Sequence, residues 1–243
     1  MTMDRNLKLT TSIGWFGKIP AEGDFLQRRL PNEVINRWAN WFHSGLLNLQ
    51  QELPDNSIYP FAHAPVWNFV IPAPMGNQYV QMGCLLPARD RVGRYYPVCA
   101  MRLWHLNDWH KQQLTIAALW YHQLGDTLLN GVRNGFSAEQ IDHALLALPA
   151  LPTPLAEEES EILSIIGLPL QPAPEKELAW QQATDCFEPT QYSSFWWTNQ
   201  TDGYPLYTHI HSGNFTVQLF SLLFNPHGWS RPGRGGQYPQ LFD

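Results

Sequence analysis

Two short charged segments hold the side chains with the clearest chemistry in this chain. The relevant residues are Lys18, Asp24, Arg28 and Arg29 in the first segment and Arg89, Asp90, Arg91 and Arg94 in the second. Guanidinium groups bind carboxylates through paired hydrogen bonds, and an aspartate beside glycine or arginine favours a tight turn. We therefore expect Asp24 and Asp90, with Gly17, Gly23 and Gly93, to be structural turn residues that lock the two segments together.

A second use of these charges is binding to a partner. Three arginines within six residues form a local positive patch, although the chain as a whole has a formal net charge of −6. Such a patch suits an acidic or phosphorylated protein surface. The residues that we expect to contact a partner are Lys18, Arg28, Arg89, Arg91, Arg94 and Trp15.

Other chemistry finds little support in the residue spacing. Lys18 is followed by Ile19 rather than by Ser or Thr, so the first segment does not match a phosphate-binding loop. His209 and His211 share one face of a predicted strand but lack a third ligand at a recognisable spacing. The cysteines lie in apolar surroundings, which raise a thiol pKa. The sequence predicts no cofactor, no metal site and no enzymatic activity.

Composition narrows the class of protein. Charged residues make up 15% of the chain and aromatic residues 13%, which favours a folded, aromatic-rich protein over a disordered one. The negative net charge argues against a broad nucleic-acid footprint. Cys84, Cys99 and Cys186 are expected to be buried thiols of a reducing compartment. Neither a signal peptide nor a membrane-spanning run is recognisable, so we expect a cytoplasmic protein without membrane insertion.

The pattern of apolar residues predicts the elements that position the charged turns. An edge strand is expected within residues 12–19, a long helix from Pro31 to Pro54, and strands over 66–71, 79–86 and 96–104. The connection between the last two strands is too short for a crossover helix, so they should pair antiparallel. A helical stripe follows at Leu114, Ala117, Tyr121, Leu124 and Leu128, and then a capping box at Ser137 and Gln140.

The last third of the chain is more irregular. Residues 149–177 are expected to form an exposed acidic connection with one helical turn, and residues 175–187 a helix. A strand should follow at 194–198 and a hairpin with arms at 206–211 and 215–222. Beyond Asn225 we expect a loose tail.

The charged segments resemble those of the TagF family, also called SciT or ImpM. The matching residues are Gly17-Lys18-Ile19-Pro20, Gly23-Asp24-Phe25, Arg28, Pro87, Asp90-Arg91, Gly93-Arg94-Tyr95 and Pro97. Trp38, Trp41 and Ser194-Phe195-Trp196-Trp197 are similar as well. Ala88 stands where the family usually has serine, so a role that depends on that hydroxyl does not transfer. The resemblance covers residues 12–200 and leaves 201–243 without a counterpart.

The resemblance implies a single α/β domain of the α+β type over residues 1–243. Its expected architecture is a mostly antiparallel sheet flanked by helices, a longin-like sandwich. It also implies a non-enzymatic, post-translational repressor of type VI secretion that binds and withholds a forkhead-associated scaffold protein. Two alternatives remain open: an assembly adaptor of the secretion apparatus, and a switch that binds a small ligand or nucleotide.

Overall fold

The computed structural model describes residues 12–52, 59–151 and 181–225, and its centre is a seven-stranded sheet. The strands are β1 Gly14–Gly17, β2 Leu26–Arg28, β3 Trp67–Ile71, β4 Tyr79–Arg89, β5 Tyr95–His105, β6 Ser193–Thr198 and β7 Thr208–Ser212. They lie in the order β2-β1-β5-β4-β3-β6-β7, and every neighbouring pair is antiparallel. The predicted antiparallel sheet is confirmed, and it is not closed into a barrel.

Helices cover both faces of this sheet. They are α1 Asn32–Glu52, α2 Tyr59–Ala62, α3 Gln112–Thr115, α4 Ala118–Arg133, α5 Ala138–Leu146, α6 Gln181–Cys186 and α7 Val217–Phe224. Side chains of α1 and α7 form one apolar cluster with the sheet, and side chains of α4 and α5 form the other. The architecture is therefore an α+β sandwich, as the family resemblance implies.

The long hairpin of β4 and β5 is the centre of the sheet. Val80, Met82, Cys84 and Leu86 all lie in the core beneath α4, whereas Leu85 belongs to the core beneath α1. This division follows from the alternation of side chains along a strand. The register of β4 against β5 confirms the predicted antiparallel pairing.

The prediction that β4 ends at Pro87 is wrong. The strand continues to Arg89, and Pro87 lies opposite Pro97 of β5. Proline has no backbone N–H to donate to the neighbouring strand. Because the two prolines lie opposite each other, both missing donors fall at the same position along the β4–β5 pair. The extra residues carry the hairpin out to the second charged turn, at residues 90–94.

Helices α1, α4 and α5 form where their apolar spacing predicts them. Val34, Trp38 and Phe42 of α1 are buried, and the Trp38 indole donates a hydrogen bond of 2.9 Å to Gln81 Oε1. The stripe that begins at Leu114 and ends at Leu128 is buried as expected. The Ser137 capping box is present in both directions.

The predicted hairpin near the carboxyl end is wrong. Residues 208–212 do form a strand, β7, but this strand pairs with β6. Residues 217–224 form α7, in which Leu219 N–H, one of the free amides of the first turn, donates a hydrogen bond of 3.1 Å to the Thr216 hydroxyl. The helix packs against α1, where a Cβ on Gly45 would lie 2.1 Å from the Phe220 ring.

Two smaller expectations also differ from the structure. Strand β1 is not an edge strand, because the three-residue β2 lies outside it. Cys84 and Cys99 are buried, but Cys186 is exposed at the end of α6. The predicted turn around residues 162–166 and the tail beyond Asn225 lie outside the described residues.

Among the helices that are described, none is both long enough and apolar enough to cross a membrane.

Candidate functional site

A buried carboxylate, Asp90, joins the two charged turns. The residue is 2% exposed, and its Oδ2 atom accepts hydrogen bonds from Lys18 Nζ at 2.8 Å and Arg94 Nε at 2.7 Å. Its Oδ1 atom accepts the backbone N–H groups of Val92, at 3.1 Å, and Arg94, at 2.9 Å. Both oxygens are thus satisfied by donors from two separate segments.

The environment keeps Asp90 ionised. Burial alone would raise the pKa of this carboxyl, but the hydrogen bonds from Lys18 and from the Arg94 backbone and side chain lower it well below its ordinary range. Lys18 is itself only 6% exposed, so each charge compensates the other away from water. A buried, mutually paired arrangement of this kind fixes geometry, because removing one partner leaves the other charge unpaired.

Two further hydrogen bonds tie the turns to each other. Arg91 N–H donates to the Glu22 carbonyl at 2.8 Å, and Arg94 Nη2 donates to the Gly23 carbonyl at 2.7 Å. The prediction that the turns come together is therefore confirmed. The carboxylate that links them is Asp90; Asp24 is exposed, and within the described residues its side chain has no ion pair or hydrogen bond.

The predicted turn glycines have unequal roles. Gly17 has a φ of 142°, and a Cβ there would lie 2.4 Å from the Pro97 carbonyl oxygen, so this position excludes a side chain. Gly93 has a φ of 89°, which also favours glycine. Gly23 has no such requirement, because its Cβ would approach only Arg91 Nη2, at 3.7 Å.

The outer side of the joined turns combines positive charge with exposed apolar groups. We call Phe25, Arg91, Val92 and Arg94 the double-turn surface. Phe25 is 57% exposed and Val92 is 68% exposed, although both are large and apolar. The Arg94 side chain is 62% exposed despite its bonds to Asp90 and Gly23. Exposed apolar groups beside arginines are typical of the centre of a protein interface.

Phe25 is held in place rather than loosely attached. Its ring lies edge-on to Tyr96, with 4.8 Å between ring centroids, and is stacked on Phe16 at 6.3 Å. Lys18 Nζ lies 4.8 Å from the Phe25 ring centroid, so the lysine that pairs with Asp90 also supports the ring. The Lys18–Asp90–Arg94 cluster and the exposed Phe25 ring are therefore in direct contact.

Trp15 and Lys18 occupy different places from those predicted for partner contacts. Trp15 is fully buried beneath α5, and its indole N–H donates to Asp142 Oδ1 at 2.8 Å. Arg29 binds the same carboxylate with both terminal nitrogens, Nη1 at 2.9 Å, while its Nε donates to the Ile13 carbonyl. Burial raises and the bonds from Arg29 and Trp15 lower the pKa of Asp142, and the net shift is downward. These side chains hold β1 to α5 instead of facing solvent.

The remaining predicted contacts lie apart from the double-turn surface. Arg28 is on β2, and its Nη2 lies 4.0 Å from Glu139 Oε1 of α5. Arg89 is exposed at the end of β4 and lines a cavity beside the carboxyl end of α4. The structure thus brings Arg91 and Arg94 together and gives Arg28 and Arg89 separate environments.

Three features of the site have only weak signals in the sequence. Phe25 follows the Gly23-Asp24 pair within a recognisable motif, but nothing local predicts that its ring is exposed. Val92 lies between Arg91 and Gly93 in the charged turn, which is the one hint that it is at the surface. Arg29 and Asp142 are 113 positions apart in the chain, so no local sequence pattern predicts that they pair.

The histidine pair lies on the last strand of the sheet. His209 and His211 lie on β7 with 6.3 Å between their ring centroids, and the His211 ring is bonded to the Asn214 carbonyl. Burial, with a smaller effect of His211, lowers the pKa of His209 to about 4. Across the residues that the structure describes, no three His, Cys, Asp or Glu side chains are grouped for a shared metal ion.

Comparison with known proteins places this chain in a family. The family model of the TagF N-terminal domain, described as type VI secretion system-associated, matches residues 14–148. No curated protein matches the sequence. The crystal structure of PA0076 from Pseudomonas aeruginosa PAO1 is similar in fold, with a TM-score of 0.67 and 24% identity over 93% of this chain and 99% of that one. The family match spans more than half of the sequence and includes both charged turns, so the chain belongs to the TagF family of type VI secretion-associated proteins.

Proposed function

We propose that this protein is a non-enzymatic, cytoplasmic repressor of type VI secretion that acts after translation. It binds a forkhead-associated scaffold protein of the same system and withholds it from assembly of the apparatus. Membership of the TagF family supports the association with type VI secretion. The double-turn surface supports binding to a protein, and it is the observation that carries the proposal.

The chemistry of the double-turn surface fits an acidic or phosphorylated partner. Arg91 presents an exposed guanidinium whose backbone is fixed to Glu22, and Arg94 is fixed to Asp90 and Gly23. Guanidinium groups bind carboxylate and phosphate oxygens through paired hydrogen bonds. Phe25 and Val92 add apolar area that loses water on binding.

The Lys18–Asp90–Arg94 cluster beneath this surface favours binding because it holds the surface rigid. Arg91, Val92 and Arg94 lie on a turn whose backbone donates two hydrogen bonds to Asp90, so little conformational freedom is left to lose when a partner binds. Phe25 is likewise held by Tyr96, Phe16 and Lys18. A rigid surface with exposed arginine and aromatic anchors has the character of a binding hot spot.

The contacts of each side chain guide the choice of substitutions that should weaken partner binding and leave the fold intact. The Arg94 side chain donates to the buried Asp90 carboxylate. Removing Arg94 would therefore destabilise the Lys18–Asp90–Arg94 cluster as well as alter the binding surface. Arg91 and Phe25 are exposed and can be truncated with less effect on the fold. The variant that tests the proposal is therefore Arg91→Ala with Phe25→Ala.

The test is a secretion assay in the native bacterium, with the chain supplied at an excess over its normal level. We expect the wild-type protein to suppress release of a type VI substrate and the Phe25→Ala/Arg91→Ala variant to restore it. The matched control is Tyr192→Ala/Lys111→Ala, which removes an aromatic ring of similar exposure and an exposed cation from elsewhere on the surface. The control should repress like the wild type.

Three results would overturn the proposal. The first is repression by the Phe25→Ala/Arg91→Ala variant at the wild-type level, with equal protein abundance. The second is loss of repression by the control variant as well. The third is a deletion strain that stops secreting, which would indicate an assembly adaptor instead of a repressor.

A further inference from the structure

A cavity of about 580 Å³ lies at the end of the sheet where β4 extends past the start of β3, next to the base of the turn at residues 90–94. Its walls come from the ends of β4 and α4, the start of β5, the segment between α2 and β3, the connection between β6 and β7, and Pro20 of the first charged segment. Val66, Leu86, Leu129 and Val132 give it an apolar lining. Its volume falls within the range of about 300–1,000 Å³ that is usual for small-molecule sites.

Two arginines at this cavity have no partner in the described part of the chain. Arg89, from the end of β4, and Arg133, from the last turn of α4, are both exposed and both line the cavity. Neither guanidinium has a hydrogen bond or ion pair with any described residue. Two unpaired guanidinium groups at the rim of one apolar cavity are available as hydrogen-bond donors to an anion.

The acidic residue in the wall does not offset these charges directly. Asp202 lines the cavity, but its Oδ2 accepts the Val66 backbone N–H at 2.8 Å and its Oδ1 accepts the Tyr204 backbone N–H at 3.2 Å. The carboxylate is thus bonded to its own wall. Because two arginines face this single carboxylate, the lining keeps an excess of positive charge over a mainly apolar surface.

We propose that this cavity binds a small organic anion. Its carboxylate or phosphate group is held by Arg89 and Arg133, and its apolar body contacts Val66, Leu86, Leu129 and Val132. Guanidinium groups prefer these oxyanions, and an apolar lining adds affinity in proportion to the area that is removed from water. The proposal stands apart from the partner-binding role, since it assigns Arg89 to a ligand site instead of a protein interface.

The first experiment is a fluorescence titration of the purified full chain with 8-anilinonaphthalene-1-sulfonate, an aromatic anion. N-phenyl-1-naphthylamine, which has the same aromatic body without the charge, is the reference probe. We expect the anion to bind at least tenfold more tightly than the neutral probe. In Arg89→Gln/Arg133→Gln its dissociation constant should rise about a hundredfold, on the basis of about tenfold for each charged contact.

Arg91→Gln is the matched control, because it removes the same charge from an exposed turn outside the cavity. It should bind the anion like the wild type. Competition by octanoate and by octyl phosphate then shows which oxyanion the site prefers. Equal binding of the charged and neutral probes, or equal loss in Arg91→Gln and in the cavity variant, would overturn the proposal, as would the absence of competition by both alkyl anions.

Val132→Trp is a second variant that does not alter the arginines. It fills the cavity from α4 and should abolish binding of both probes while the melting temperature stays within a few degrees of the wild type. Unchanged affinity for the anion in a folded Val132→Trp protein would place the bound probe elsewhere and refute the assignment.

Discussion

Replacing Asp90 with asparagine should weaken the fold far more than its position in a surface turn suggests. Asparagine keeps the size of the side chain and one acceptor oxygen, but it removes the negative charge. Lys18, which is 6% exposed, would then be a buried cation without its counter-charge. Loss of one member of a buried pair costs about 3–5 kcal/mol, so we expect the free energy of unfolding to fall by that amount.

The measurement is urea unfolding followed by tryptophan fluorescence at pH 7. Asp24→Asn is the control, because Asp24 lies on the neighbouring turn but is exposed. It should change the free energy of unfolding by no more than about 0.5 kcal/mol. If the free energies of unfolding of Asp90→Asn and Asp24→Asn agree within this margin, the Lys18–Asp90–Arg94 cluster does not stabilise the protein and the reasoning is wrong.

The same variant has a characteristic pH dependence. The folded-state pKa of Asp90 lies below the ordinary value of 3.8, so its ionisation stabilises the fold above that value, and this stability is lost as the pH falls toward the folded-state pKa. The difference in unfolding free energy between wild type and Asp90→Asn should therefore shrink below about pH 4. A difference that stays constant from pH 7 to pH 3 would contradict the assigned ionisation.

Three other perturbations have defined outcomes. Asp142→Asn should lower the free energy of unfolding by about 1.5–3 kcal/mol in thermal melts, because Arg29 and Trp15 both bind the carboxylate; a melt identical to that of the wild type would refute this. Gly17→Ala should cost at least about 2 kcal/mol, since its Cβ would lie 2.4 Å from the Pro97 carbonyl oxygen, whereas Gly23→Ala should be nearly neutral in the same assay. Burial lowers the pKa of His209 from 6.5 to about 4, so the free energy of unfolding of the wild type should fall as the pH drops through that interval. A His209 ring that titrates near pH 6.5 by NMR would contradict this burial.

The parts of the fold that were predictable have their signal in local sequence. The apolar spacing of α1, with Trp38 and Phe42 on one face, is sufficient to predict a helix between two prolines. The β4–β5 pair follows from two apolar runs joined by a short charged turn. Asp90 was predictable as a turn residue, because aspartate next to arginine favours both the turn and the ion pair.

The parts that were missed depend on contacts between distant residues. The segment 217–224 is almost wholly apolar, and a short apolar run does not distinguish a strand from a buried helix. The deciding contact is between Phe220 and Gly45 of α1. Likewise, Trp15 is fixed by Asp142, which lies 127 positions later, so its burial is not apparent from its own segment.

The most direct test of the proposed function is isothermal titration of the purified protein with the forkhead-associated protein of the same secretion system. We expect measurable binding by the wild type and the same affinity for Tyr192→Ala/Lys111→Ala. The Phe25→Ala/Arg91→Ala variant should bind at least about a hundredfold more weakly, as expected when two hot-spot side chains are removed. Wild-type affinity in that variant, or no binding by the wild-type protein, would contradict the role assigned to the double-turn surface.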